Sequence, residues 1–209
     1  MRAARLAVVL GLVLAVDSPD GADAATRRMR DVALRWSPTA QLSDLAWIDL
    51  AGVGERTIEL RPFADQRARR DRIGENREDD PEVYPVATPD DVALWVGEGF
   101  TRTFERVGLR LVERDGDLVL RGAVRHLLLT ERGGYQGEVA IHVVAETPTG
   151  ATLWQGIVLG ARSGYGRLDR DRGYSETLSD TLLDAVVKLL QNSEFTEFLA
   201  DPRPRTDEE

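Results

Sequence analysis

The residues able to do chemistry are few and scattered. The chain carries two histidines, His126 and His142, and no cysteine. Disulfides, thiolate metal sites, thiol nucleophiles and lipid attachment through a cysteine are therefore excluded together. No pair of histidines falls at helical spacing, so a zinc or iron centre would have to be built mainly of carboxylates. Ser163 sits in Gly160-Ala161-Arg162-Ser163-Gly164 and lacks the glycine two positions upstream that a nucleophile elbow needs. Gly97-Glu98-Gly99 lacks the third glycine of a phosphate-binding loop and falls inside a helical pattern. The acids crowd into loops and helix starts, where capping and solubility account for them, and no two stand out as a general acid and base. These patterns predict no catalytic residue, no metal site and no cofactor. What is left is an arginine-rich stretch opening with Asp65-Gln66-Arg67. Its Asp65, Arg67, Arg69 and Arg70 are the candidate ligand- or partner-binding residues, and Asp65 with Arg67 can equally organise their own loop.

Charge narrows the partners. The formal net charge is -9 and Lys188 is the only lysine. An acidic chain is a poor general binder of nucleic acid, whose affinity comes mostly from neutralised phosphates. The first residues have the layout of a secretory signal. Arg2 and Arg5 supply the positive end, Leu6 to Val16 form an apolar run too short to span a bilayer, Pro19 and Gly21 break it, and Ala22-Asp23-Ala24 offers a cleavage site. The mature chain is expected to begin at Ala25, in the periplasm.

The elements that would position any site follow from periodicity. Residues 1–24 read as the signal peptide, 25–56 as an N-terminal arm with one short strand at Val32 to Trp36, 57–200 as one core domain, and 201–209 as a disordered acidic tail. From Thr57 the residues alternate as in a strand with one buried face. Ala64 to Ala87 is dense in charges of both signs and reads as a solvated loop. Thr88, followed by Pro89 and two acids, is the expected cap of a helix running to about Val107, with Val92, Val96, Phe100, Phe104 and Val107 on one stripe and Gly108 ending it. Gly97 and Gly99 inside it each cost about 1 kcal/mol relative to alanine, and close approach to the sheet or to a partner would explain them. A short strand at Leu109 to Val112 and a turn at Asp115-Gly116 come next. Gly133-Gly134 predicts a two-residue hairpin turn with Arg132 opposite Tyr135; this register sets Val124, His126 and Leu128 on one face, His142 on the more polar one, and Arg121 against Glu146. After a turn at Pro148-Thr149-Gly150, Leu153 to Ala161 reads as a further antiparallel strand. Ser175 is the expected cap of a second helix through Gln191, and Phe195 to Leu199 a final turn. The sum is an α+β fold: a mainly antiparallel sheet of about four to six strands with two helices packed on one face.

Several of these motifs occur together in a recognisable order. Phe63-Ala64-Asp65-Gln66-Arg67, Ile73-Gly74, the Gly99-Phe100 helix ending in Gly108-Leu109, the strand Leu118 to Leu129 and the C-terminal run Leu182 to Leu199 resemble the YajG family of small Gram-negative envelope lipoproteins over roughly Thr57 to Leu199. The resemblance implies an α+β domain on the periplasmic side of the outer membrane, with no established enzymatic activity. It also implies kinship in shape with auxiliary envelope lipoproteins that support transport machines. The junction Ala22-Asp23-Ala24-Ala25 departs from the family, whose members carry a lipid-bearing cysteine there, so a soluble periplasmic form is expected. The leading expectation is an accessory or scaffold protein that meets an envelope protein partner through a strand edge or the helix-opposite face of the sheet. A carrier or sensor for an anionic or amphipathic envelope molecule, using the arginine-rich loop with Tyr135 or Tyr165, is the alternative, and peripheral contact with the outer membrane is compatible with both. The sequence leaves the oligomeric state open.

Overall fold

The computed structural model describes residues 30–40, 50, 53, 56–78, 81–165 and 170–200. The expected signal peptide, most of the arm between 42 and 53, and the acidic tail lie outside them. The elements run β1 (Arg30–Asp31), β2 (Thr57–Leu60), β3 (Ala64–Asp65), β4 (Gly74–Asn76), β5 (Tyr84–Ala87), α1 (Val92–Arg106), β6 (Arg110–Val112), β7 (Leu118–Glu131), β8 (Tyr135–Glu146), β9 (Thr152–Gly164), α2 (Arg170–Gln191) and α3 (Ser193–Ala200). No helix among the described residues is long and apolar enough to cross a membrane.

The fold is α+β, but its sheet is mixed and larger than expected: among the described residues nine strands belong to it. β7 organises them. One of its edges pairs antiparallel with β8, which pairs antiparallel with β9, as the alternation predicted. Its other edge is taken in turn by three short parallel strands, β2 at Leu118 to Leu120, β3 at Ala123-Val124 and β4 at Leu129 to Glu131. β6 lies parallel beside β2, β5 antiparallel beside β4, and β1 parallel beside β5. Thus the expectation of four to six mainly antiparallel strands fails on this half, and the stretch expected to be a solvated loop holds all of β3, β4 and β5. Strands of two to four residues are too short to display a period of two, and here pairing to β7 selects the extended backbone.

The hairpin forms with a different register. Glu131 faces Tyr135, so the turn is the three residues Arg132 to Gly134, with Gly133 in the left-handed region at φ 64°. A second shift occurs between Val124 and His126, where Arg125 is extra on β7. Val124 pairs with Ile141 whereas His126 pairs with Ala140, so His126 and Leu128 leave the face of Val124 and join that of His142. A slip of one residue inverts every side chain, which is why His126 is half exposed instead of buried in the core. The expected Arg121 and Glu146 ion pair is present as a diagonal contact.

Helix starts also differ from expectation. Asp91, not Thr88, caps α1, its carboxylate accepting from the Ala93 and Leu94 amides at 2.8 and 3.0 Å. Val92, Val96, Phe100 and Phe104 are buried as the stripe requires, and Gly108 ends the helix at φ 90°. Ser175 lies inside α2, which begins by Arg170. Its hydroxyl serves another purpose, donating to the Ala33 carbonyl at 3.2 Å. The segment read as a strand at Val32 to Trp36 is instead a strap across the helices. Ser179 accepts from the Ser37 amide and donates to the Arg35 carbonyl, and Asp180 accepts from the Thr39 and Ala40 amides, so side chains of α2 satisfy the strap's backbone in place of a neighbouring strand.

The core lies between the helices and one face of the sheet. Phe63 lies over Gly122 and meets Phe100 edge-on, which seats α1. α2 approaches β8 and β9 where glycines remove the obstacle: a Cβ on Gly160 would stand 2.1 Å from the Thr181 carbonyl oxygen, and one on Gly137 2.2 Å from the Thr181 hydroxyl. Gly99 likewise admits Leu182 and Trp36 against α1. Trp154 of β9 meets Phe195 edge-on, so α3 joins the same side.

Candidate functional site

The four candidate residues do not converge on a cavity. Arg67 is buried and turns back on its own loop: its Nε and Nη2 donate to the two Asp65 carboxylate oxygens at 3.0 and 2.9 Å, and its Nη1 donates to the Arg72 carbonyl at 2.7 Å. Burial pushes the Asp65 carboxyl up, but hydrogen bonds from the Arg67 side chain and amide, with its positive charge, outweigh this and hold the group below the usual carboxylate range. Together they hold the turn between β3 and β4. Arg69 reaches the buried Glu75 at 3.2 Å, where Arg77 at 2.7 Å and Arg72 at 3.7 Å converge as well. Arg70 is exposed beside them and adds its field to Asp65. Three guanidinium groups gather around one buried carboxylate, with Arg69 and Arg77 donating hydrogen bonds to Glu75.

A surface that the residue search missed lies on the sheet. Among the described residues, α2 and α3 pack on the face formed in β8 by Tyr135, Val139, Ile141 and Val143 and in β9 by Trp154, Gly156, Val158 and Gly160, and α1 lies on the same side over β7. The reverse face carries Glu138, Ala140, His142 and Val144 of β8 beside Ala161, Leu159, Ile157 and Gln155 of β9, and among the described residues no helix covers it. Ile157 is 62% exposed and Leu159 60%, side by side on the outermost long strand. Leu159 lies in a row with Ala140 and His126, and Ile157 in a row with His142 and Ala123. The signal was present in the sequence: Ile157-Val158-Leu159 puts aliphatic residues on both faces of a strand, where one buried face alone calls for alternation. Both histidines lie on this face, with His126 Nε2 3.6 Å from a Glu138 carboxylate oxygen. No group of three metal-ligating side chains occurs among the described residues.

A second feature is an open groove of about 620 Å³ between α1 and the link Leu60 to Phe63, with Leu94, Gly97 and Glu98 on its helical wall. Leu94 is 63% exposed. A Cβ on Gly97 would meet nothing within 4 Å, so unlike Gly99 this glycine serves no packing inside the chain. Of the two aromatics named with the arginine-rich loop, Tyr135 is buried against Tyr174 and Tyr165 is 93% exposed just after β9.

No family model matches the chain, and no curated protein matches it. Solved structures do share its shape. A protein from Xanthomonas campestris of the DUF330 family superposes with a TM-score of 0.54 at 11% identity, over 84% of this chain and 99% of the other. A hypothetical protein from Chlamydia trachomatis gives 0.49 at 9% identity over 72% and 100%, and a minor lipoprotein from Acinetobacter baumannii 0.39 at 14% identity over 71% and 95%. At such identities the likeness to the Xanthomonas protein is one of fold: the same α+β arrangement is reached by a nearly unrelated sequence.

Proposed function

We propose that this chain is an exported, non-enzymatic accessory protein of the cell envelope, of the YajG-like kind, which docks a protein partner on the helix-free face of its sheet. The observation that carries the reading is the adjacent pair Ile157 and Leu159, large aliphatics left in water on a face that the three helices avoid. Exposing two such side chains forgoes about 1.5–3 kcal/mol each relative to burial, which a partner recovers. The charged signal, its short apolar run and its small-residue cleavage site support export. The periplasmic place and any peripheral association with the outer membrane belong to the same proposal.

The test has two arms. Fractionation with N-terminal sequencing is expected to find a periplasmic product starting at Ala25; a cytosolic product retaining its leader overturns the export half. A photo-crosslinking residue at position 159, used in living cells, is expected to yield a discrete adduct with a protein other than a second copy of this chain, absent when the probe sits at exposed Glu113. Equal labelling from both positions, or none from 159, overturns the docking half. The second reading, a carrier for an anionic or amphipathic envelope molecule, is favoured by the groove at Gly97, while Arg69 and Arg77 are already engaged by Glu75. Native mass spectrometry showing lipid retained by the purified chain would support it.

A further inference from the structure

We infer that two copies of this chain join through the free edges of β9, antiparallel about a two-fold axis at Val158, so that one sheet runs through both. β9 is the terminal strand: it pairs with β8, and no strand among the described residues pairs its other edge. It is thirteen residues long, contains neither lysine nor proline, and carries Arg162 as its single charge. Exposed edges of this length are ordinarily blunted by such residues, because unpaired backbone groups recruit another strand.

The guarding that exists is local and tells which groups are free. The Ala161 amide donates to the Asp184 carboxylate at 3.0 Å, and Arg162 and Lys188 hold that carboxylate at 3.1 and 2.7 Å. Ala161 therefore directs its amide away from β8. Residues of an antiparallel pair alternate in direction, so Leu159 and Ile157 point their backbone groups outward too, with no such guard.

The sequence around Val158 suits a second copy of itself. Gly156-Ile157-Val158-Leu159-Gly160 reads alike in both directions by residue class. Under a two-fold axis at Val158, the outward amide and carbonyl of Ile157 meet those of Leu159 in the other copy. The four exposed aliphatic side chains then form one cluster on the helix-free face, and each Gly156 stands opposite a Gly160. Such self-complementarity is what an isologous interface requires. Arg162, the one charge of the strand, is engaged within its own chain by Asp184 at 3.1 Å, so the edge brings no unpaired like charges together at the axis. The Asp184 guard on Ala161 limits the ladder to its centre, which selects this register over slipped ones.

This pairing goes beyond the docking role proposed above and is independent of it, since a foreign partner can meet the sheet face of either a single chain or a pair. Sedimentation equilibrium of the purified chain is expected to give twice the 23.2 kDa of one copy. Leu159→Lys, a change at an exposed position, is expected to sediment as a single copy with an unaltered far-ultraviolet spectrum. In a chain with no native cysteine, Val158→Cys is expected to give a covalent dimer on mild oxidation, and Leu153→Cys is not. A wild-type chain that stays single throughout the micromolar range overturns the inference. So does a Leu159→Lys chain that remains paired, or a paired Val158→Cys chain that resists cross-linking.

Discussion

Arg67 illustrates how a residue can look functional in sequence and be structural in the fold. Its guanidinium is buried with Asp65 and a carbonyl as its partners, so removing the carboxylate strands a charge away from water. Asp65→Asn is expected to cost about 2–3 kcal/mol, less than a fully buried pair because Asp65 retains some exposure; urea unfolding measures it. A carboxyl held below its ordinary 3.8 by folding binds its proton more readily in the unfolded chain. Asp65 and Asp117, the latter held down chiefly by the Thr57 amide, therefore favour the folded state above about that pH. Their contribution is lost as the pH falls further, through the folded values. The Asp65→Asn chain should show a shallower loss of stability in that acid range than the wild type. The glycines give an opposed pair of outcomes. Gly97→Ala meets no atom and should stabilise α1 by about 1 kcal/mol, whereas Gly160→Ala drives a methyl into the backbone of α2 and should cost at least about 2 kcal/mol; thermal melts separate the two.

Among the elements, the strap from Ala33 to Ala40 is the least conventional, because side chains bond its backbone, Asp90 before α1 at Leu34 and residues of α2 elsewhere along it. Asp180 alone accepts the Thr39 and Ala40 amides and the Thr39 hydroxyl. Asp180→Ala is expected to cost about 1–2 kcal/mol and, more tellingly, to raise amide exchange at Thr39 and Ala40 while leaving that of β7 and β8 unchanged. Trp36 at its centre packs edge-on against Trp95 and fits the space left by Gly99, so the strap also closes one end of the core. The bulge at Arg125 acts at the same scale. By adding one residue to β7 it turns His126 and Leu128 outward, and it gives the helix-free face the only two histidines of the chain.

At the scale of the fold, the decisive feature is asymmetry: the described residues form three helices on one side of a nine-stranded sheet and none on the other. Layered domains bury an apolar face against a second layer, and here the second layer is present once. The uncovered side carries two large exposed aliphatics, Ile157 and Leu159. Replacing both with threonine should leave the melting temperature within about 2 °C, since neither contributes to the core. The same double substitution should abolish the in-cell adduct expected at that face.

Periodicity and composition alone determined the stripes of α1 and α2, the meander of β7 to β9, the acidic balance and the absence of cysteine chemistry. Each of these is written within a few turns of chain or in counts of residues, so local physics suffices to read it. Tertiary structure alone decided which face His126 occupies, how the second edge of β7 is closed by three fragments, and that Glu75 gathers Arg69, Arg72 and Arg77. These outcomes depend on pairing between residues far apart in sequence, where a one-residue shift inverts a face and a short strand exists only because its neighbour does.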